Sequence, residues 1–148
     1  MLTVSKRFLP FLAIPFITFA ILLTSGCAGG PPTQTELAKA DYGTPISQED
    51  AQRQALEFLR HVLKDPDSAK TDWSPISPGW TREAPIDGGG LTFGYLLKAN
   101  INAKNTYGAY IGYTPYKFLF VNGIIASVFA QQELSTGYSS VPYMRKIY

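Results

Sequence analysis

The chain has 148 residues, of which 45% are hydrophobic, 14% aromatic and 16% charged, enough for one small globular domain and too aromatic for disorder throughout. Its single Cys excludes an intrachain disulfide framework and a Cys-rich zinc site, and its single His removes most metal and Ser-His-Asp chemistry, so no cofactor is expected. The formal net charge is +2.

Lys6 and Arg7 open the chain with positive charge, and Phe8 to Leu23 follow as an apolar run broken by Pro10 and Pro15. The run is shorter than the roughly 20 residues a membrane-spanning helix needs, so it reads as a secretory signal. Leu23-Thr24-Ser25-Gly26-Cys27 then resembles the lipobox of bacterial lipoproteins, with Thr24 where Leu is commoner. The resemblance implies cleavage after residue 26 and a Cys27 lipidated on sulfur as the new N-terminus. Ala28 after the Cys, in place of Asp, implies passage to the outer membrane in Gram-negative bacteria, facing the periplasm. Two or more acyl chains hold a protein stably where one does so only marginally, and the resemblance implies three. Lys6 and Arg7 leave with the signal, so the 13 basic side chains fall to match the 11 acidic ones. That balance removes the electrostatic case for nucleic acid.

Residues 27–44 carry the lipidated Cys and then Gly, Pro and Thr without periodicity, which predicts a flexible linker outside the core, reaching about 50–60 Å when extended. Ser47 followed by Glu49 and Asp50 predicts a helix N-terminus. Ala51, Ala55, Phe58, Leu59, Val62 and Leu63 repeat at helical spacing, with Leu56 widening the stripe. Pro66 ends the helix near Lys64. His61 falls on the solvent side, and Asp65 and Asp67 around Pro66 read as turn residues. The passage from Ser74 to Trp80 and the triple Gly at 88–90 read as connections, because the latter lacks the Lys-Ser/Thr of a phosphate loop.

From Phe93 to Ala103 the period becomes two, the mark of a half-buried antiparallel strand. Residues 116–121 and 124–129 flank Asn122-Gly123, the strongest short hairpin signal. A two-residue loop pairs Val121 with Ile124, Phe120 with Ile125 and Phe118 with Ser127. Tyr116, Phe118, Phe120, Ile125 and Phe129 then share one face, and Leu119, Val121, Ile124, Ala126 and Val128 the other. Both faces are apolar, so each needs a cover: the helix on one, and the C-terminal segment, a second copy or a partner on the other. The expected fold is α+β, with one amphipathic helix on a small antiparallel sheet of three to five strands. The expected divisions are 1–26 signal, 27–44 linker, 45–130 domain and 131–148 a tail without clear periodicity.

Tyr107, Tyr110, Tyr113 and Tyr116 recur every third residue among Gly108, Gly112 and Pro115, with Asn102 and Asn105 just upstream. Glycine and proline there predict an ordered loop. Its rings and amides form a candidate surface for a protein partner or a glycan, or else pack the loop onto the sheet. The Leu63-Lys64-Asp65-Pro66-Asp67-Ser68-Ala69 and Asn102-Ala103-Lys104-Asn105-Thr106-Tyr107-Gly108 stretches, with Gly79-Trp80 between them, resemble small uncharacterised lipoproteins of Gram-negative bacteria over residues 45 to 130. That resemblance implies location and domain limits but no activity. The function expected is a membrane-anchored, non-catalytic envelope lipoprotein that binds another envelope protein. The alternative is a glycan- or peptidoglycan-binding module using the tyrosine loop. An enzyme built on Asp65, Asp67 or Asp72 is the least favoured reading.

Overall fold

A computed structural model describes residues 30–85, 88–135, 137 and 139–148. The expected signal sequence and Cys27 lie outside the described residues. The chain forms α1 (Gln34–Ala38), α2 (Gln48–Val62), β1 (Asp65–Trp73), β2 (Ser77–Arg82), β3 (Leu91–Lys104), β4 (Thr114–Val121), β5 (Ile124–Ser135) and β6 (Ser140–Lys146). It is α+β: one main helix, α2, packs against a six-stranded antiparallel sheet ordered β1-β3-β4-β5-β6, with β2 also paired to β3. β1 runs beside the second half of β3 and β2 beside the first half, so together they form one broken edge.

α2 starts where its cap predicts. Ser47 Oγ accepts from the Asp50 N–H at 3.1 Å and donates to the Asp50 carboxylate at 2.8 Å. The first satisfies a backbone N–H that the helix end leaves open, and the second orients the Ser47 hydroxyl that accepts it. Ala51, Ala55 and Leu59 are fully buried on Leu97, Ala99, Ile101, Phe118, Phe120 and Val128, with Phe58 and Leu63 at the margin. Leu56 and Val62, expected in the stripe, lie exposed at its edges instead. The two alanines explain why: they bring the helix axis close to the sheet, and this narrows the strip it can cover.

Asn122 and Gly123 both adopt positive φ, 52° and 80°, as a two-residue turn of the favoured hand requires. Val121 pairs with Ile124 and Phe120 with Ile125 as expected, but Leu119 then faces Ser127 and Phe118 faces Val128. Ala126 is the extra residue of a β-bulge. One inserted residue exchanges the faces of everything beyond it. Val128 and Ala130 therefore turn toward α2 with Phe118, while Phe129 joins Leu119 on the far face, correcting the expected face assignment.

That far face is covered by the sheet itself. Thr81 on β2 and Ser127 on β5 bring their hydroxyls to 3.5 Å although two strands separate them in the sheet. The sheet is thus curled, concave away from α2, and Leu119 and Phe129 are buried inside the curl. Gly79 and Gly94 stand opposite one another in the pairing of β2 with β3, each closely approached by a neighbouring strand.

Three expectations for connecting segments are overturned. Asp65-Pro66-Asp67 is the irregular start of β1, where the register shifts between Asp65 and Lys70, a position that tolerates proline. Residues 77–82 form a strand, whereas Gly88 and Gly89, with φ of 101° and 65°, lie in the turn before β3, the connection expected of them. Residues 131–148 hold the end of β5 and all of β6, and Ile147 and Tyr148 reach the helix side, where Tyr148 meets Phe58 at 5.7 Å.

The linker, finally, is docked from Gly30 onward. Arg82 Nε donates to the Gly30 carbonyl at 3.0 Å, and its guanidinium meets Glu36 at 3.1 Å. Tyr42 sits edge-on to Phe93 at 5.5 Å, and the Thr44 N–H donates to Asn122 Oδ1 at 3.0 Å. Thr33 and Glu36 form a reciprocal capping box around α1.

The Thr33 N–H, then the Thr33 hydroxyl, then Arg82 hold the Glu36 carboxyl below its ordinary value of 4.5. Because the folded value is depressed, this contribution is present above pH 4.5 and is lost as pH falls through the lowered value. Acid is therefore expected to release α1 before the sheet. Amide NMR signals of residues 33–38 should change below pH 4.5 while those of β3 and β4 keep their native positions. Signals that stay fixed until the whole domain unfolds would contradict this.

Candidate functional site

The loop from Asn105 to Tyr113 leaves β3 at its C-terminal end. Asn105 organises it: the side-chain oxygen accepts from the N–H groups of Tyr107 and Ala109 at 2.9 and 3.1 Å. The Asn105 backbone bonds Ala109 and Gly108 as well. Asn102 Oδ1 accepts from the Gly112 N–H at 3.2 Å, and Lys104 and Tyr110 form an isolated bridge. Gly108 and Gly112 take positive φ, 77° and 104°, which their lack of a Cβ permits. The loop is thus held in one shape by its own amides.

The four tyrosines separate into three environments. Tyr107 is 91% exposed, Tyr113 57%, and Ile111 between them 72%. Tyr110 lies partly over the domain: its hydroxyl donates to the Ser68 carbonyl at 3.0 Å, and Lys70 and Lys104 stand over its ring at 4.5 and 5.7 Å. Tyr116 is set apart from this group. It lies on β4, half-buried, stacked on Phe118 at 6.0 Å, and burial raises its hydroxyl pKa above the usual phenol value.

The strand register adds residues that carry no periodic signal. β4 begins beside the end of this loop, and β5 and β6 run past it as a projecting hairpin. Leu134 and Val141 pair across that hairpin, 58% and 50% exposed, two residues beyond Tyr143. Tyr107, Ile111, Tyr113, Leu134 and Val141 therefore belong to the same end of the sheet.

The docked N-terminal segment belongs to the opposite end. Arg82, which holds Gly30, pairs with Leu91 at the start of β3, while the tyrosine loop follows Lys104 at its finish. At about 3.3 Å per residue, β3 separates the two by roughly 40–45 Å along the strand. Asp65, Asp67 and Asp72 are not gathered into a site: among the described residues, no three His, Cys, Asp or Glu side chains stand close enough to hold a metal. His61 is exposed beside Glu57 at 3.6 Å.

Compared with known proteins, the chain matches no protein-family model, no curated protein and no solved structure.

Proposed function

We propose that this chain is a lipid-anchored, non-catalytic protein of the bacterial outer membrane that faces the periplasm and binds another envelope protein through the tyrosine loop. The observation that carries this reading is the exposure of Tyr107, Ile111 and Tyr113 on a loop already fixed in shape. Apolar and aromatic groups without a cover on the domain favour a partner that supplies one. A loop ordered before binding loses less conformational entropy when it binds.

The anchor fits the same geometry. Only Ala28 and Gly29 lie between Cys27 and Gly30, a span of at most about 11 Å. Docking of residues 30–44 thus replaces the long tether expected from sequence with a short one. An anchor at Cys27 would hold the Arg82 end of the domain at the membrane and leave the tyrosine end free to reach outward. A glycan ligand is less well supported, because the side-chain oxygens of Asn102 and Asn105 are engaged in holding the loop.

In-cell photocrosslinking tests the reading, with the crosslinking amino acid at Tyr107 in the full lipidated protein. A discrete adduct with one envelope protein is expected, and Ile111→Asp should remove it. Changing an anchor of such a surface typically weakens binding by roughly 30-fold or more. A Tyr107 probe that yields no protein adduct, in a folded protein that instead sediments with purified sacculi, would overturn it in favour of a glycan ligand.

A further inference from the structure

The concave face carries a second feature, independent of the tyrosine loop. Lys98 on β3 pairs with Lys117 on β4, Lys117 with Phe129 on β5, and Phe129 with Lys146 on β6. Directly paired residues share a face, so three lysines and one buried phenylalanine form a single row across the hollow of the sheet. Lys146 is neutralised by Glu83. Among the described residues, Lys98 and Lys117 have no carboxylate in salt-bridge range. Like charges directly opposite one another on a sheet destabilise it, so this pair works against the fold.

The row lies in a groove of about 860 Å³ between the free edge of β2 and the residues 143–146 of β6. That volume is within the range of roughly 300–1,000 Å³ typical of small-molecule sites. Leu96 and Phe129 line it beside the lysines, and Leu37, Tyr42 and Trp80 line it toward the docked N-terminal segment. One end of the groove therefore holds the two unpaired lysines, and the other carries apolar and aromatic side chains beside Arg82, whose charge Glu36 neutralises.

We propose that this groove binds an anionic amphiphile, a single alkyl chain ending in a carboxylate or phosphate. Lys98 and Lys117 hold the headgroup, and the chain lies along Leu96 toward Leu37 and Tyr42. An anion between the two lysines converts their repulsion into two charge-assisted contacts. The apolar end gives the alkyl chain a place that a small inorganic anion would leave empty.

Met144 also lines the groove, and Met1 is the chain's only other methionine, so a ¹³C-methyl label on methionine reports on the site directly. The full lipidated protein, in nanodiscs of zwitterionic lipid, is titrated with decanoate and decyl phosphate below their micelle-forming concentrations. Empty nanodiscs control for partitioning, and the Met144 resonance is assigned by Met144→Leu. A saturable shift of the Met144 methyl signal is expected with one or both probes, and which of them binds tighter identifies the headgroup. The Lys98→Gln/Lys117→Gln double variant should bind at least tenfold more weakly while melting no lower than the parent. Acetate and inorganic phosphate should give no saturable shift. The proposal is overturned by an unmoved Met144 signal, by equal affinity in the double variant, by a neutral decyl maltoside binding as tightly, or by an acidic peptide outcompeting both probes.

Discussion

Phe118→Ala is expected to lower the unfolding free energy by about 3–5 kcal/mol, the range for deleting a fully buried aromatic ring. Phe118 has no exposed surface, and it is where the layers of the domain meet. Its ring meets Phe58 of α2 edge-on at 6.1 Å, Trp73 of β1 at 6.2 Å and Tyr116 in a stack at 6.0 Å. Two of these neighbours come from other elements, so collapse of one side chain cannot fill the hole. Aromatic pairs add about 0.5–1.5 kcal/mol beyond the area they bury, and this substitution removes three. A domain of this size has only about 5–15 kcal/mol of stability in all. Urea denaturation should show a lower midpoint with an unchanged slope. Ile124→Ala, at a side chain 66% exposed on the hairpin turn, should stay within about 0.5 kcal/mol of the parent. A loss below about 1.5 kcal/mol at Phe118 would mean that the core repacks around the missing ring.

The elements legible in the sequence are those whose signals are local. Ser47 and Pro66 bracket α2, Asn122-Gly123 fixes a turn with two positive φ values, and period-two alternation marks β3. The elements that escaped depend on distant partners. β1 has proline at its bulged start and no clean alternation, and it becomes a strand only because β3 offers an edge. β2 contains Pro78 and Gly79, turn residues by composition, and the glycine is there because Leu96 lies against it. The bulge at Ala126 has no signal a single strand could show, yet it decides which face Phe129 takes. The docking of residues 30–44 rests on Arg82, Phe93 and Asn122, all remote in the chain.

The candidate site divides in the same way. Glycine spacing made the loop legible, and the roles of Asn102 and Asn105 as staples follow from short-range hydrogen bonds. The three-residue spacing groups Tyr116 with the loop, whereas its alternation with Phe118 and Phe120 sets it on the face of β4 that packs under α2. The Leu134–Val141 pair and the Lys98–Lys117 pair needed strand register, which no count along the chain provides.

Gly94→Ala is expected to cost about 3 kcal/mol or more, at the top of the range for overpacking, and to open the curl on which the lysine groove depends. A Cβ at position 94 would lie 2.2 Å from the Phe120 carbonyl oxygen and 3.1 Å from Val121 Cγ2. The nearer atom is backbone, so no rotamer change relieves the clash, and β3 and β4 must separate. That separation falls where β2 folds over toward β5, and the buried contact between Thr81 and Ser127 should go with it. Gly79→Ala provides a graded comparison, because its Cβ would meet the Leu96 Cβ at 2.8 Å, a smaller overlap with a side chain. Gly94→Ala should therefore lose more stability than Gly79→Ala, and both should increase hydrogen exchange at Thr81 and Ser127 before α2 loses protection. If Gly94→Ala fails to accumulate as folded protein, Gly79→Ala alone still tests the curl, through faster exchange at Ser127 with α2 unchanged. Equal stability of both variants and the parent would mean that the sheet can flatten without loss. The concave face would then be a consequence of strand twist rather than of the two glycines.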